Sequence, residues 1–158
     1  MRSYWASTGW ESGFLGYPSA DAVVSSTGIV QQFQGQTVFA TSAGAVQLVD
    51  RGETGAAYSR VGAQTGVLGW PISAQSCGLR GNGCYQDFAG GSVHWSPTTG
   101  AHATSGAVRT LWGTTGWESG PLAYPKADAV TSGGVTTQEF QGGQIRVDAQ
   151  GTATYLLR

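Results

Sequence analysis

Charge is scarce in this chain, and lysine and asparagine are almost absent: Lys126 and Asn82 stand alone among 158 residues, of which 11% are charged. Eight cationic and nine acidic side chains leave a formal net charge of −1. Neither the counterion-release mode of nucleic-acid binding nor a basic membrane-surface face has support. No apolar run approaches the roughly 18 to 20 residues of a membrane span. The opening stretch Met1-Arg2-Ser3-Tyr4-Trp5 lacks the apolar core and small-residue cleavage site of a secretory signal. It reads as a mature piece with an added Met, or as a module cut from something longer. Histidine and cysteine are limited to His94, His102, Cys77 and Cys84. Two cysteines alone do not hold structural zinc, and neither histidine stands with them at ligand spacing, so no metal and no cofactor are expected.

What the chain has instead is glycine, 26 residues of it, and repetition. Leu-Gly-Tyr-Pro at Leu15 to Pro18 returns as Leu-Gly-Trp-Pro at Leu68 to Pro71 and as Leu-Ala-Tyr-Pro at Leu122 to Pro125. The prolines lie 53 and then 54 residues apart. Upstream, Trp5, Tyr58 and Trp112 are in register, and so are Gly9, Gly62 and Gly116; the pentapeptide GWESG is identical at Gly9 to Gly13 and Gly116 to Gly120. Downstream, Phe33, Phe88 and Phe140 align, each preceded two positions earlier by Gln31, Gln86 or Gln138, and each followed by Val38, Val93 or Ile145. The chain is therefore three copies of one unit, about 1–53, 54–106 and 107–158, forming a single domain.

Within a unit, Gly106 to Trp112 predicts a short helix: Ser105 can cap it, and Val108, Leu111 and Trp112 share a face. Glycine at Gly113 and Gly116 stops it. Proline fixes the corner and pushes the aromatic before it into extended geometry. Thr27 to Phe33 and Gln36 to Ala40 alternate around Gln34-Gly35, which predicts two antiparallel strands with the phenylalanine facing the valine across the pair. The in-register aromatics, including Tyr17, Trp70 and Tyr124, are expected in the core. One such unit cannot enclose its own apolar face, so three must pack side by side. The expected fold is mostly β with short helices, an α+β pseudo-symmetric domain.

Cys77 and Cys84 lie where the middle unit is two residues longer than its neighbours. They read as a disulfide across an inserted hairpin tip, closing a loop worth about 2.5 kcal/mol on the chain-entropy account. An oxidising compartment follows if they pair; the alternative is a reduced pair in a glycine-rich loop.

The pattern Gly-x-x-x-Gly-x-Leu-Gly-aromatic-Pro, then Gln-x-Phe-x-Gly-Gly, then Trp-Ser-Pro-x-x-Gly-Ala-His resembles the LGFP repeat family, most closely over Gly62 to His102. The resemblance covers nearly the whole chain. It is similar to repeats at the ends of actinobacterial cell-envelope proteins, among them mycolyltransferases and peptidoglycan amidases. What it implies is a secreted, non-catalytic module that anchors an attached or partner enzyme to wall polysaccharide, arabinogalactan or peptidoglycan. The first and third units depart from the pattern by lacking Trp-Ser-Pro and His, and Ala123 replaces a glycine.

Catalysis finds little to work with. GWESG is not a nucleophile elbow, because its serine sits one place too late. Ser96, His94 and Asp87 could assemble a triad in space, though nothing marks them. Glu11 and Glu118 occupy equivalent positions in separate units, with neutral Gln64 between them in the repeat order. The repeated Asp21 and Asp128, replaced by Ala74 in the middle unit, suit a turn or cap. Aromatics that are not used in every unit point to binding instead: Trp10 and Trp117 align with Ala63, and Trp95 with Ala40 and Val147. The candidate carbohydrate-binding residues are thus Trp10, Glu11, His94, Trp95, His102, Trp117 and Glu118, with indoles stacking on sugar faces and the acids and imidazoles bonding hydroxyls. The alternative is a protein-interaction module, as a homodimer or against a fused catalytic domain, since three units are too few to close a ring.

Overall fold

A computed structural model describes all 158 residues. Each unit is a short helix, a 3-10 turn, the proline corner and a four-stranded antiparallel meander. Helix α1 (Arg2–Ser7) precedes strands β1 (Val23–Ser25), β2 (Gly28–Gln32), β3 (Gln36–Thr41) and β4 (Val46–Asp50). Helix α2 (Glu53–Arg60) precedes β5 (Ser76–Leu79), β6 (Gly83–Phe88), β7 (Gly91–Ser96) and β8 (Gly100–Ser105). Helix α3 (Gly106–Thr114) precedes β9 (Val130–Ser132), β10 (Val135–Phe140), β11 (Gly143–Val147) and β12 (Ala153–Leu157). The mostly β, three-unit pseudo-symmetric fold is the one expected, with four strands per unit in place of two. The extra strands left little trace in the pattern: β1 and β9 are three residues long and wholly exposed, so no apolar alternation marks them.

The repeated motif is explained by one local assembly. The helix aromatic reaches the corner and donates to its backbone: Trp5 Nε1 to Gly16 O at 3.1 Å, Tyr58 Oη to Gly69 O at 2.7 Å, Trp112 Nε1 to Ala123 O at 3.1 Å. The corner proline pairs by an isolated bridge with the unit's phenylalanine, Pro18 with Phe33, Pro71 with Phe88 and Pro125 with Phe140. Leu15, Leu68 and Leu122 are then fully buried. Before each corner, Gly13, Gly66 and Gly120 pass so close to the end of the helix that a Cβ would stand 1.7, 1.9 and 1.9 Å from the carbonyl oxygen of Thr8, Val61 and Thr115. Only glycine makes that turn, which is why it recurs.

Three sequence expectations change in detail. The residue directly across from Val38, Val93 and Ile145 is the glutamine, Gln31, Gln86 or Gln138; the phenylalanine is the diagonal neighbour on the same face. Ser105 does occupy the N-cap of α3, but its side chain makes no capping bond. The corner aromatics are not uniformly core: Tyr124 is buried, Trp70 half-buried and Tyr17 57% exposed. Cys77 and Cys84 form the expected disulfide between β5 and β6. No helix is long and apolar enough to cross a membrane.

The units stack as alternating layers, helix, sheet, helix, sheet, helix, sheet. Helix α2 lies between Phe39 and Val49 of the first sheet and Phe88, Val93, Ala101 and Ala103 of the second, in one cluster. Helix α3 likewise lies between the second sheet and Ile145 and Val147 of the third. What fastens the layers is the repeated glutamine. Gln86 is fully buried, and its Nε2 donates to Leu48 O on the preceding unit's last strand at 2.7 Å and to Ser73 O at 2.9 Å. Gln138 repeats this with Ala103 O and Ala127 O, both at 2.8 Å. Gln31, with no sheet beyond it, bonds only Ala20 O.

Because each buried amide supplies the only side-chain donor to a strand-edge carbonyl, Gln86→Ala and Gln138→Ala should each destabilise by about 2 to 3 kcal/mol. Gln31→Ala should cost less than about 1 kcal/mol. Urea midpoints at unchanged m-value measure the difference.

Candidate functional site

Each helix-on-sheet junction leaves a cleft of about 330 Å³. The two clefts are equivalent by position and differ in chemistry at six of the matched places. At the first junction the sheet offers Val30, Gln32 and Phe39, and the following helix and turn offer Gly55, Ala63 and Gln64. At the second, the same positions hold Tyr85, Asp87 and His94, then Arg109, Trp117 and Glu118. Every one of the six has gained a charge, a ring or a titratable group.

The second cleft is pre-organised. Arg109 reaches from α3 to the sheet, where its Nη2 meets Asp87 Oδ1 at 2.9 Å and its Nε donates to Ser92 Oγ at 2.9 Å. Its guanidinium lies 5.0 Å from the centre of the Trp117 ring, a cation–π contact. Trp117 sits at a turn position with φ 54°, matched by Trp10 at 55° and Ala63 at 50°, so the left-handed backbone belongs to the turn and not to one side chain. Gly113 allows the indole to lie against α3, since a Cβ there would meet its Cζ2 at 2.7 Å. His94 stacks on Tyr85 at 5.6 Å and meets Trp112 edge-on at 4.6 Å. Burial, aided by the charge of Arg109, pushes the His94 imidazole down to about 3, so it is neutral at ordinary pH. Glu118 is buried with Ser119 Oγ, at 3.3 Å, as its hydrogen-bond partner. Burial first, and then the Glu118 charge, push the Tyr124 phenol up to about 12 despite Arg80.

Of the residues singled out by sequence, the cleft unites His94, Trp117 and Glu118. Tyr85, Asp87 and Arg109 join them without having been foreseen as binding residues; the signal available was their difference from Val30, Gln32 and Gly55. Trp95 and His102 lie elsewhere. Successive strand residues point to opposite faces, so Trp95 turns away from His94 and donates to Glu53 Oε2 at 2.8 Å. His102 is structural: its Nε2 is 2.9 Å from Thr99 O and its Nδ1 is 3.5 Å from Asp128 Oδ1. Trp10 and Glu11 are in the 3-10 turn after α1, with Trp10 39% exposed and packed on Trp5 at 5.0 Å.

Asp128 is more than a turn residue. Its carboxylate accepts from Ala103 N at 3.0 Å and from Arg60 Nε at 3.0 Å, binding the third unit to the second. Burial alone would raise its pKa, but His102, Arg60 and the Ala103 amide override that and hold it well below the usual carboxylate range. No triad forms. Ser96 bonds Thr98 and Thr99, the serine beside His94 is Ser92 at 3.4 Å, and Asp87 is committed to Arg109.

The pattern of the LGFP repeat family matches the chain twice, over residues 15–66 and 68–120. No curated protein matches. Each matched segment runs from one corner through its sheet to the next helix and turn, so it contains one whole cleft.

His94 cannot take up a proton when folded but does so when unfolded, so the unfolded state binds more protons between the two values and stability rises with pH there. Stability should fall by about 1 kcal/mol per pH unit as pH drops below about 6.5 toward 3. His94→Phe, which copies Phe39 of the first cleft, should abolish the slope between about pH 6.5 and 4.5, above the range in which Asp128 loses its own contribution, in denaturation curves.

Proposed function

For a chain that belongs to the LGFP repeat family, we propose the function of a repeat module that binds wall polysaccharide and so anchors an attached or partner secreted enzyme. The observation that carries this reading is the second cleft: an open slot in which the rings of Tyr85 and Trp117 flank a charge-neutral Asp87–Arg109 pair, with Glu118 beside them. Flat rings offer apolar faces to the C–H side of a pyranose, while the fixed guanidinium and carboxylates donate to and accept from its hydroxyls. The cleft is shallow and mixed in polarity, which suits one or two sugar rings held weakly. Retention on a polymer then comes from many such modules meeting many repeats of the glycan. The Cys77–Cys84 disulfide agrees with a location outside the reducing cytoplasm.

The repeat fold bears on catalysis as well. With His94 held neutral and Asp87 tied to Arg109, the cleft's polar groups are occupied in holding one another, which favours recognition over proton transfer.

Purified chain applied to insoluble actinobacterial wall, and to arabinogalactan and peptidoglycan separately, should be retained on at least one. Trp117→Ala should weaken binding by about tenfold or more, the loss of one stacking face, and Gly113→Ala should weaken it by displacing the indole. Trp10→Ala should bind as wild type. Because His94 stays neutral, affinity should be flat from about pH 5 to 8. A chain that passes all three matrices unretarded, or a Trp117→Ala variant that binds as tightly as wild type, overturns the reading.

A further inference from the structure

We propose that the outer face of α1 and the outer face of the third sheet dock onto each other between two copies of this chain, head to tail, and that the joint builds another cleft of the Arg109–Trp117–Glu118 kind. The alternation of layers leaves one helix face and one sheet face uncovered at opposite ends. Both faces are open in the single chain, where Trp10 and Leu156 are exposed. They are the halves of one repeat: segments 15–66 and 68–120 each hold a sheet with the helix and turn laid on it, whereas residues 1–14 hold helix and turn alone and 121–158 hold a sheet alone.

The chemistry of the two faces is complementary at matched positions. Arg2 lies 5.9 Å over the Trp10 ring as Arg109 lies 5.0 Å over Trp117, and Glu11 stands at the position of Glu118. On the third sheet, Glu139 takes the position at which Asp87 receives Arg109, and Arg146 takes that of His94. Docking therefore sets Arg2 against Glu139, opposite charges, and brings Arg146 to the place beside the Trp10 ring that His94 takes beside Trp117. In the single chain Glu139 is engaged by Arg158 of its own C-terminal end, and Arg2 joins it from the other side.

The strand edge fits as well. Arg158 N bonds Gly142 O across the β11–β12 ladder, which by alternation turns the N–H and C=O of Tyr155 outward from the edge. Tyr155 is the counterpart of Ala103, whose N–H and C=O are both taken, by Asp128 and Gln138. Asp21 and Gln31 are the same pair in the first unit, and Gln31 makes only its bond within the unit. Leu156 is 64% exposed, while its counterparts Val49 and Thr104, sealed under the next helix, are 2% and 1% exposed. One substitution loosens the joint relative to the internal ones. Val135 stands where Gly28 and Gly83 admit Trp70 and Tyr124, so Tyr17 stays at the rim. Such a contact is heterologous and propagates as an open chain.

The joint does not rest on sugar binding, and its test uses no glycan. Sedimentation velocity from micromolar to millimolar protein at low salt should show mass growing with concentration and reversing on dilution or added salt. Arg2→Glu alone and Glu139→Arg alone, each checked for native circular dichroism, should lose that growth. An equimolar mixture of the two should regain it, because each then meets its opposite charge. A wild type that remains one chain at millimolar concentration, single reversals that associate as wild type, or a mixture that stays monomeric overturns the proposal.

Discussion

A β-sheet that ends in an edge strand presents unpaired N–H and C=O groups, and the way this protein covers them governs the rest of its architecture. Leu48 and Ala103 lie on the last strands of the first and second sheets, and each gives its carbonyl to a fully buried glutamine of the next unit. That amide also bonds the loop after its own corner, at Ser73 or Ala127, so one side chain joins a sheet edge, a corner and the neighbouring unit. A buried amide that lost these partners would carry an uncompensated desolvation cost, which makes the stacking register stringent. Unit order, spacing and the position of each helix over the preceding sheet follow from it.

The clefts are a by-product of that stacking. A helix laid on a flat meander cannot fill the space beside its 3-10 turn, and the turn's left-handed residue decides what enters the space. With Ala63 there the cleft has no indole wall; with Trp117 it becomes a slot with ringed walls. The scaffold thus keeps its geometry while six positions change chemistry independently of the core. Leu68, Phe88 and Val93, which hold the fold, have close equivalents in every unit; Tyr85 and His94 do not, and Arg109 recurs only as Arg2. In this protein the repeated residues carry structure, and those that differ between copies carry the candidate site.

Much of this was readable in one dimension. The period, the three units, the core leucine and phenylalanine, the helix at Gly106 and the disulfide all come from local spacing, and the structure contains them. Four-stranded meanders were not readable, because β1 and β9 are short and bury nothing. His94, Trp117 and Glu118 were legible as outliers against the repeat, but Trp95 and His102 looked equally exceptional. Strand alternation put Trp95 on the opposite face, and the inter-unit carboxylate of Asp128 claimed His102.

The sequence by itself determined the unit, since a corner of leucine, glycine, aromatic and proline closed by glycine turns is a matter of local backbone geometry and needs no distant partner. Tertiary structure alone decided which residues meet across units. Arg109 finds Asp87 and Ser92 only because α3 lies on the second sheet, and Arg2 finds no such partner within its own chain because α1 has no sheet on its outer side. Contacts between layers depend on stacking order and on which strand edge is left open, and neither quantity is written in the spacing of a single repeat.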